Sequence, residues 1–257
     1  MAYPYNFKVV VSGKQVEVFK YSKHVWREFK KKPDDEEYNN TQKEPKQLNM
    51  FEQLELKKKK LQFSLNRTKT EIRRLSNSNP QLNKFMTLTF AKNITNLKEA
   101  NYIFNQFIKR ITYQYGDFEY LAVPEFQKRG AVHYHLLCKL PFVKVSELQN
   151  IWQQGFIKIN KIDNVNNVGA YVCKYLTKDM FDERSFGKKK FFRSQSLSQS
   201  IELLGYWAMK FVEKFLALLT PVFEKSFESE WVGTVEYLAY TLVDIPDIDE
   251  RFRSFRF

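Results

Sequence analysis

The order of the elements that residues 84–162 predict constrains the fold of this chain more than any other feature. Stretches rich in β-branched and aromatic residues alternate with two helical patterns in the order β-α-β-β-α-β. Thr95 and Ser146 are expected to cap the two helices, which end near Tyr115 and before Gly155. This order is typical of an α+β fold in which split βαβ units share an antiparallel sheet. The predicted strands span residues 84–90, 118–126, 131–140 and 156–162.

Three segments are predicted along the chain. Residues 1–80 form a basic extension with a hairpin of strands 6–11 and 15–19, a charged linker at 30–45, and a helix from Gln47 to Leu75. Residues 81–195 contain the βαββαβ core and a further helix from Val168, capped by Asn167, to about Met180. Residues 196–257 are acidic and rich in aromatic side chains, which favours a packing or partner-binding segment.

Charge and composition narrow the class of function. The 257 residues carry a net charge of +13, concentrated before residue 196, which favours a polyanionic partner such as nucleic acid. The two cysteines, Cys138 and Cys173, exclude a disulfide scaffold and a four-cysteine zinc module. We expect a cytoplasmic chain without a membrane span, since the start lacks a signal-peptide pattern. A GxxxxGK[ST] phosphate loop is absent from the sequence, so we expect no helicase or NTPase activity.

A metal site is predicted from two histidines in one strand. His133 and His135 are two residues apart, so their side chains point to the same face of a strand. If the hairpin turns within residues 127–130, Glu125 lies directly opposite His133 on that face. Two imidazoles and one carboxylate leave coordination positions open for a substrate, which is typical of a catalytic metal site. The alternative is that the histidines pack in a core or form a surface patch.

A nucleophile is predicted in the helix that follows. Tyr171 and Tyr175 are one helical turn apart, and Lys174 and Lys178 each follow a tyrosine by three residues. Each phenol then has an ammonium group near its own face, able to steady a phosphate or favour a phenolate. A tyrosine that attacks a phosphodiester conserves the bond energy as a phosphotyrosine, so the break can be resealed. The alternative is two core tyrosines on an amphipathic helix.

These motifs carry a family resemblance. The strand FMTLTF, the sequence His133-Tyr134-His135 and the stretch YVCKYLTK resemble the three motifs of HUH endonucleases. They are most similar to the two-tyrosine rolling-circle replication initiators of bacterial phages and plasmids. Over roughly residues 84–195, the resemblance implies a nicking domain with a divalent metal on His133, His135 and Glu125.

The resemblance further implies a mechanism and partners. Tyr171 would nick single-stranded origin DNA on an extruded hairpin, with Mg²⁺ or Mn²⁺ as the cofactor, and Tyr175 would act in the second cleavage. Which tyrosine attacks first stays open. A host polymerase would extend the 3′-OH, and a host helicase would unwind the duplex in the bacterial cytoplasm. Two alternatives are a transposase or mobilisation relaxase with the same site and a non-catalytic module that binds single-stranded nucleic acid.

Basic and aromatic residues beside the core are predicted to bind DNA, because cations contact phosphates and aromatic rings stack on bases. The helix at 47–75 carries further cations, which either grip duplex DNA or form a solvated face. The predicted DNA-binding residues are Lys128 and Arg129 of the turn and Lys188, Lys189, Lys190, Phe191, Phe192 and Arg193.

Overall fold

The computed structural model describes residues 3–27, 49–162, 169, 173 and 187–248. The strands in these ranges are β1 (Tyr3–Ser12), β2 (Gln15–Arg27), β3 (Lys84–Thr89), β4 (Tyr120–Phe126), β5 (Val132–Cys138), β6 (Ile157–Lys161), β7 (Phe192–Arg193), β8 (Ile201–Leu204), β9 (Phe223–Ser229) and β10 (Gly233–Thr241). The helices with bounds in these ranges are α1 (Met50–Ser78), α2 (Leu97–Tyr115), α3 (Val145–Trp152) and α4 (Gly205–Phe215). The strands form two antiparallel five-stranded sheets, which confirms the predicted α+β class.

The chain divides into two compact units, one of residues 65–200 and one of residues 1–64 with 201–257. In the first, the sheet order is β6-β3-β5-β4-β7, and every neighbouring pair is antiparallel. Helix α2 connects β3 to β4, and α3 connects β5 to β6, so the chain runs β-α-β-β-α-β as predicted. This order places β3 and β5 side by side near the centre of the sheet.

One face of this sheet packs against α2 and α3. Phe104 and Phe107 of α2 and Trp152 of α3 are fully buried against alternate residues of the strands. The ring of Tyr134 stacks on Phe104 with the centroids 4.3 Å apart, and its hydroxyl donates to Asn101 Oδ1 at 2.6 Å. Because Tyr134 points into the core, its neighbours His133 and His135 point to the opposite face.

The helices begin at positions other than the predicted caps. The prediction of Thr95 as a cap was wrong, because Asn96 caps α2 and its Oδ1 accepts from the backbone N–H of Lys98 at 2.9 Å. Ser146 was also wrong as a cap: it lies inside α3, whose N-cap is Lys144, without a side-chain capping bond. Neighbouring polar residues all suit a cap, so the pattern alone cannot select among them.

Helix α1 begins and ends with side-chain hydrogen bonds. Asn49 and Glu52 form a reciprocal capping pair, each side chain accepting from the other's backbone N–H at 2.9 Å. At the other end, buried Asn79 donates to the carbonyl oxygens of Leu75 and Ser198 at 2.8 and 2.9 Å, and its Oδ1 accepts from the N–H of Ser198 at 2.9 Å. The segment around Ser198 is thereby attached to the end of α1.

The second unit contains a sheet of order β8-β1-β2-β10-β9. The predicted hairpin is confirmed as β1 and β2, which turn at residues 13–14. Valines of these strands pack with Leu203 and with Phe211 of α4 into a separate core. The boundaries predicted at 80 and 195 stay a prediction. Strands from the first and third predicted segments pair here.

Two further predictions concern other parts of the chain. The predicted linker at 30–45 lies outside the described residues, as does most of the predicted helix at 168–180. Within the described ranges, no helix combines the length and the apolar character that crossing a membrane requires.

Candidate active site

The hairpin of β4 and β5 positions the predicted metal ligands. The backbone N–H of Gln127 donates to the carbonyl oxygen of Ala131, and that of Gly130 donates to Gln127, both at 2.8 Å. Gly130 adopts φ +89°, a conformation that glycine takes without steric cost. This turn sets the predicted register, in which Glu125 pairs with His133, and the structure confirms it.

The Glu125 carboxylate reaches diagonally to the second histidine rather than straight across. Its Oε2 forms a hydrogen-bonded contact with His135 Nε2, where the two side chains are about one-fifth exposed. The other nitrogen, His135 Nδ1, lies 3.1 Å from the hydroxyl of Thr87, its neighbour on β3. A hydroxyl both donates and accepts, so Thr87 can support either tautomer of the ring. Phe85 stacks on the ring with centroids 5.7 Å apart. His135 is therefore held on three sides.

His133 lies beside this pair and differs from it in its bonding. Its Nε2 is buried and has no hydrogen-bond partner among the described residues. The two imidazole centroids are 6.3 Å apart. Burial and the neighbouring His135 lower the pKa of His133 to about 4, with Arg129 adding to this effect and Glu125 opposing it. His133 is therefore neutral near pH 7, and a neutral imidazole carries a lone pair for a metal ion or a proton.

The donor chemistry of these residues suits a divalent metal. Two imidazoles and a carboxylate on one sheet face match the nitrogen and oxygen ligands of open catalytic sites. An unpartnered buried nitrogen costs free energy unless a ligand satisfies it, and His133 Nε2 is such an atom. As arranged, the structure brings Glu125 and His135 into contact, with His133 beside them. In the described ranges, no group of three or more His, Cys, Asp or Glu side chains is arranged to hold a metal.

The predicted nucleophile region is described at two positions. Tyr171, Lys174, Tyr175 and Lys178 lie outside the described residues, whereas Gly169 and Cys173 are described and helical. Burial raises the pKa of the Cys173 thiol to about 11, while the positive charges of Arg73 and Lys69 act in the opposite direction. Cations of α1 therefore exert an electrostatic effect on this stretch of the chain.

The two basic turn residues that were predicted to bind DNA differ in their contacts. Lys128 is exposed. The guanidinium of Arg129 donates to the carbonyl oxygen of Phe90 at 2.7 Å and to Gln127 Oε1 at 2.9 Å. Arg129 thus ties the turn to the end of β3 as well as adding positive charge beside His133. Its role toward DNA stays a prediction.

The predicted DNA-binding segment 188–193 contributes to the core as well as to the surface. Phe192 pairs with Ala122 of β4, and its ring lies 5.9 Å from the ring of Phe104. Lys189 places its Nζ 5.3 Å from the Phe192 centroid, in a cation–π arrangement. The Phe192 ring is therefore engaged within the protein, and base stacking on it stays a prediction. Lys188 and Lys189 are exposed, and Lys190, Phe191 and Arg193 are partly buried.

Thr87 is a site residue that the sequence analysis did not single out. It pairs with His135 across β3 and β5, and its hydroxyl orients the imidazole. A signal was present, since FMTLTF alternates apolar residues with threonines and the threonines must share the histidine face if the strands pair in register. That pairing could not be derived from residues far apart in the chain.

Comparisons with known proteins bear on the same part of the chain. Residues 83–180 match the model of a family described as replication-associated protein, of the ORF2 type. The match begins at β3, includes the hairpin with both histidines, and extends past Tyr175. Searches of curated proteins and of solved structures found no match. The family match supports a replication initiator role for this chain in DNA replication.

Proposed function

We propose that this chain initiates rolling-circle replication by nicking and rejoining single-stranded origin DNA through a covalent phosphotyrosine. The contact between Glu125 and His135, with the unpartnered Nε2 of His133 beside it, is the observation that carries the proposal. These polar groups lie within the segment that matches the replication family. Their arrangement serves no evident packing purpose, because the core lies on the other face of the sheet.

The proposed step is an in-line transesterification. The hydroxyl oxygen of Tyr171 attacks the phosphorus and loses its proton, and the bond from phosphorus to the 3′ oxygen breaks. That oxygen takes up a proton and becomes a free 3′-OH, while the 5′ phosphate stays on the tyrosine. Tyr175 performs the second cleavage, and the 3′-OH then attacks the phosphotyrosine and closes the circle. Lys174 and Lys178 steady the phosphate or favour the phenolate form.

A divalent cation, Mg²⁺ or Mn²⁺, held by His133, His135 and Glu125 would polarise the scissile phosphate. The protein's own contribution is to keep these donors oriented. Thr87 and Phe85 fix the ring of His135. Burial keeps His133 neutral, so that its lone pair is available.

The exposed lysines near the site are proposed to hold the strand. Lys128, Lys188 and Lys189 are exposed and can contact phosphates without first losing a buried partner. The 3′-OH is proposed to serve a host polymerase. Unwinding is assigned to a host helicase, since the sequence has no phosphate loop.

The test separates cleavage from binding. Full-length protein, His133→Ala and His135→Ala are compared for Mn²⁺-dependent cleavage of a labelled single-stranded origin oligonucleotide and for its Kd. We expect cleavage to fall by at least about 100-fold while the Kd stays within about 2-fold, because the histidines act on the phosphate rather than in binding. His24→Ala is the control, since His24 is exposed on β2. Equal loss of binding and cleavage in both variants would make the histidines structural and contradict the proposal.

A further inference from the structure

Helix α1 contacts the chain on both sides of Tyr171. The backbone N–H of Gly169 donates to Asn77 Oδ1 at 2.7 Å, and Cys173 Sγ donates to the carbonyl oxygen of Lys69 at 3.4 Å. In the sequence, Tyr171 is two residues after the first contact and two before the second. The predicted nucleophile therefore stands between two points that α1 fixes.

The contacts run in opposite directions along the two elements. Gly169 lies against the carbonyl oxygen of Arg73, and Cys173 lies against that of Lys69, one helical turn earlier in α1. A step of one turn forward in one element matches one turn backward in the other. This is the pattern of two antiparallel helices whose backbones lie close together.

The close approach depends on the absence of a side chain at residue 169. A Cβ built on Gly169 would overlap the carbonyl oxygen of Arg73 and would lie 2.7 Å from Asn77 Oδ1. Backbone oxygen cannot move aside as the end of a flexible side chain can, so any larger residue would separate the two elements. Glycine here serves the approach of two backbones.

We infer that α1 is the positioning platform of the nucleophile segment, with Asn77 and Gly169 as positioning residues that set where Tyr171 stands relative to the metal site. This inference rests on the proposed function. It assigns a role in the reaction to an element that precedes the family match, which begins at residue 83. A displacement of about 1 Å between a nucleophile and its target costs about 100-fold in rate, so a two-point attachment is an effective way to hold the geometry.

The main experiment compares Asn77→Ala with Asn77→Asp in the full-length chain, using covalent adduct formation on a single-stranded origin oligonucleotide with Mn²⁺. Asn77→Ala removes the acceptor of the Gly169 N–H, and we expect the adduct rate at saturating DNA to fall about 10- to 100-fold. The Kd for the oligonucleotide should stay within about 2-fold, because Asn77 is proposed to act on geometry and not on DNA. Asn77→Asp keeps an acceptor oxygen and should recover most of the rate. Asn83→Ala is the matched control, since that side chain is exposed.

A second measurement follows the attachment without reference to activity. The two thiols differ in place: Cys138 is fully buried in the core of the sheet, and Cys173 lies against α1. Reaction with an aromatic disulfide reagent at fixed pH should accelerate at Cys173 by about 10-fold or more in Asn77→Ala and in Gly169→Ala. Cys138 should stay protected, which shows that the fold is intact. Faster reaction at both thiols would mean that the variant unfolds, and Asn77→Asp then decides the inference.

The outcomes separate this inference from the proposed function. If the unaltered chain forms an adduct and Asn77→Ala forms it equally fast with Cys173 equally protected, the positioning role of α1 is overturned while the function stands. If the unaltered chain forms no adduct with its origin, the proposed function is overturned. The thiol comparison then still decides whether Asn77 fixes this segment to α1.

Discussion

Replacing Thr87 with valine removes one hydroxyl from the candidate site and changes little else. Valine has nearly the same volume as threonine and the same branching, so β3 should keep its conformation. The hydroxyl lies 3.1 Å from His135 Nδ1 and fixes the rotation of that ring. Without this hydroxyl, His135 must bind a metal from a ring that is free to rotate or to change tautomer.

The size of the effect follows from the chemistry of such supporting contacts. Loss of the hydrogen-bond partner behind a metal-binding histidine weakens metal affinity by about 10- to 100-fold. Since tenfold corresponds to about 1.4 kcal/mol, the expected loss is about 1.4 to 2.8 kcal/mol of binding free energy. The free energy of unfolding of the metal-free protein should fall by only about 1 kcal/mol, the net value of one hydrogen bond.

The assay is a Mn²⁺ titration of the intact protein followed by electron paramagnetic resonance, with urea unfolding of the same preparations. Thr89→Val is the matched control, because Thr89 is on the same strand and face but pairs with His133. We expect Thr87→Val to weaken Mn²⁺ binding and Thr89→Val to leave it within about 3-fold. Equal affinities for Thr87→Val and the unaltered protein would refute the claim that Thr87 orients a metal ligand. An equal loss in both variants would show that the histidine face responds to any change in polarity.

Three further predictions concern the core, the segment at the end of α1 and the cofactor. Tyr134→Phe should lower the free energy of unfolding by about 1 to 2 kcal/mol in urea, because Asn101 Oδ1 loses the hydroxyl at 2.6 Å, whereas Tyr113→Phe at an exposed site should change nothing. Asn79→Ala should cost about 2 to 4 kcal/mol, since its buried amide makes two hydrogen bonds with the Ser198 backbone. EDTA should abolish cleavage of single-stranded DNA, and added Mn²⁺ should restore it.

Each of these predictions has an outcome that contradicts its reasoning. Equal stability of Tyr134→Phe and Tyr113→Phe would show that the buried hydroxyl contributes nothing. An Asn79→Ala variant as stable as the unaltered protein would mean that the Ser198 segment is held by other contacts. Cleavage that persists in EDTA would remove the metal from the proposed mechanism.

The fold of residues 84–162 could be predicted because each of its elements has a local signal. The period-2 pattern of β3 and β5 and the apolar stripe of α2 follow from which side chains are buried. The βαββαβ order then leaves few topologies. The exact helix starts could not be predicted, because Thr95 and Asn96 are both good caps and only the final geometry selects Asn96.

The sheet of the other unit was not foreseen, for a different reason. Its β1 pairs with β8, and its β2 pairs with β10, across more than 180 residues of chain. Strand propensity does not indicate which distant strand will be a partner, since pairing depends on side-chain packing across the assembled sheet. The sequence therefore indicated the hairpin but not the strands that complete its sheet.

The candidate site shows the same division between local and distant information. The spacing of His133 and His135 on β5 predicted their shared face, and the short turn predicted that Glu125 pairs with His133. The rotamer that sends the Glu125 carboxylate to His135 could not be derived, because a glutamate reaches both the direct and the diagonal neighbour. Thr87 was missed because its role exists only once β3 lies beside β5.

The central claim is that a tyrosine of this chain forms a covalent bond with DNA. It is tested most directly by incubating the full-length protein with Mn²⁺ and its single-stranded origin oligonucleotide, then mapping the DNA-linked tryptic peptide by mass spectrometry. The account predicts one adduct at Tyr171 or Tyr175 that is absent with EDTA and absent from the His133→Ala variant. Cleavage that depends on Mn²⁺ but leaves no DNA on either tyrosine would contradict the account, because the strand would then be cut by hydrolysis.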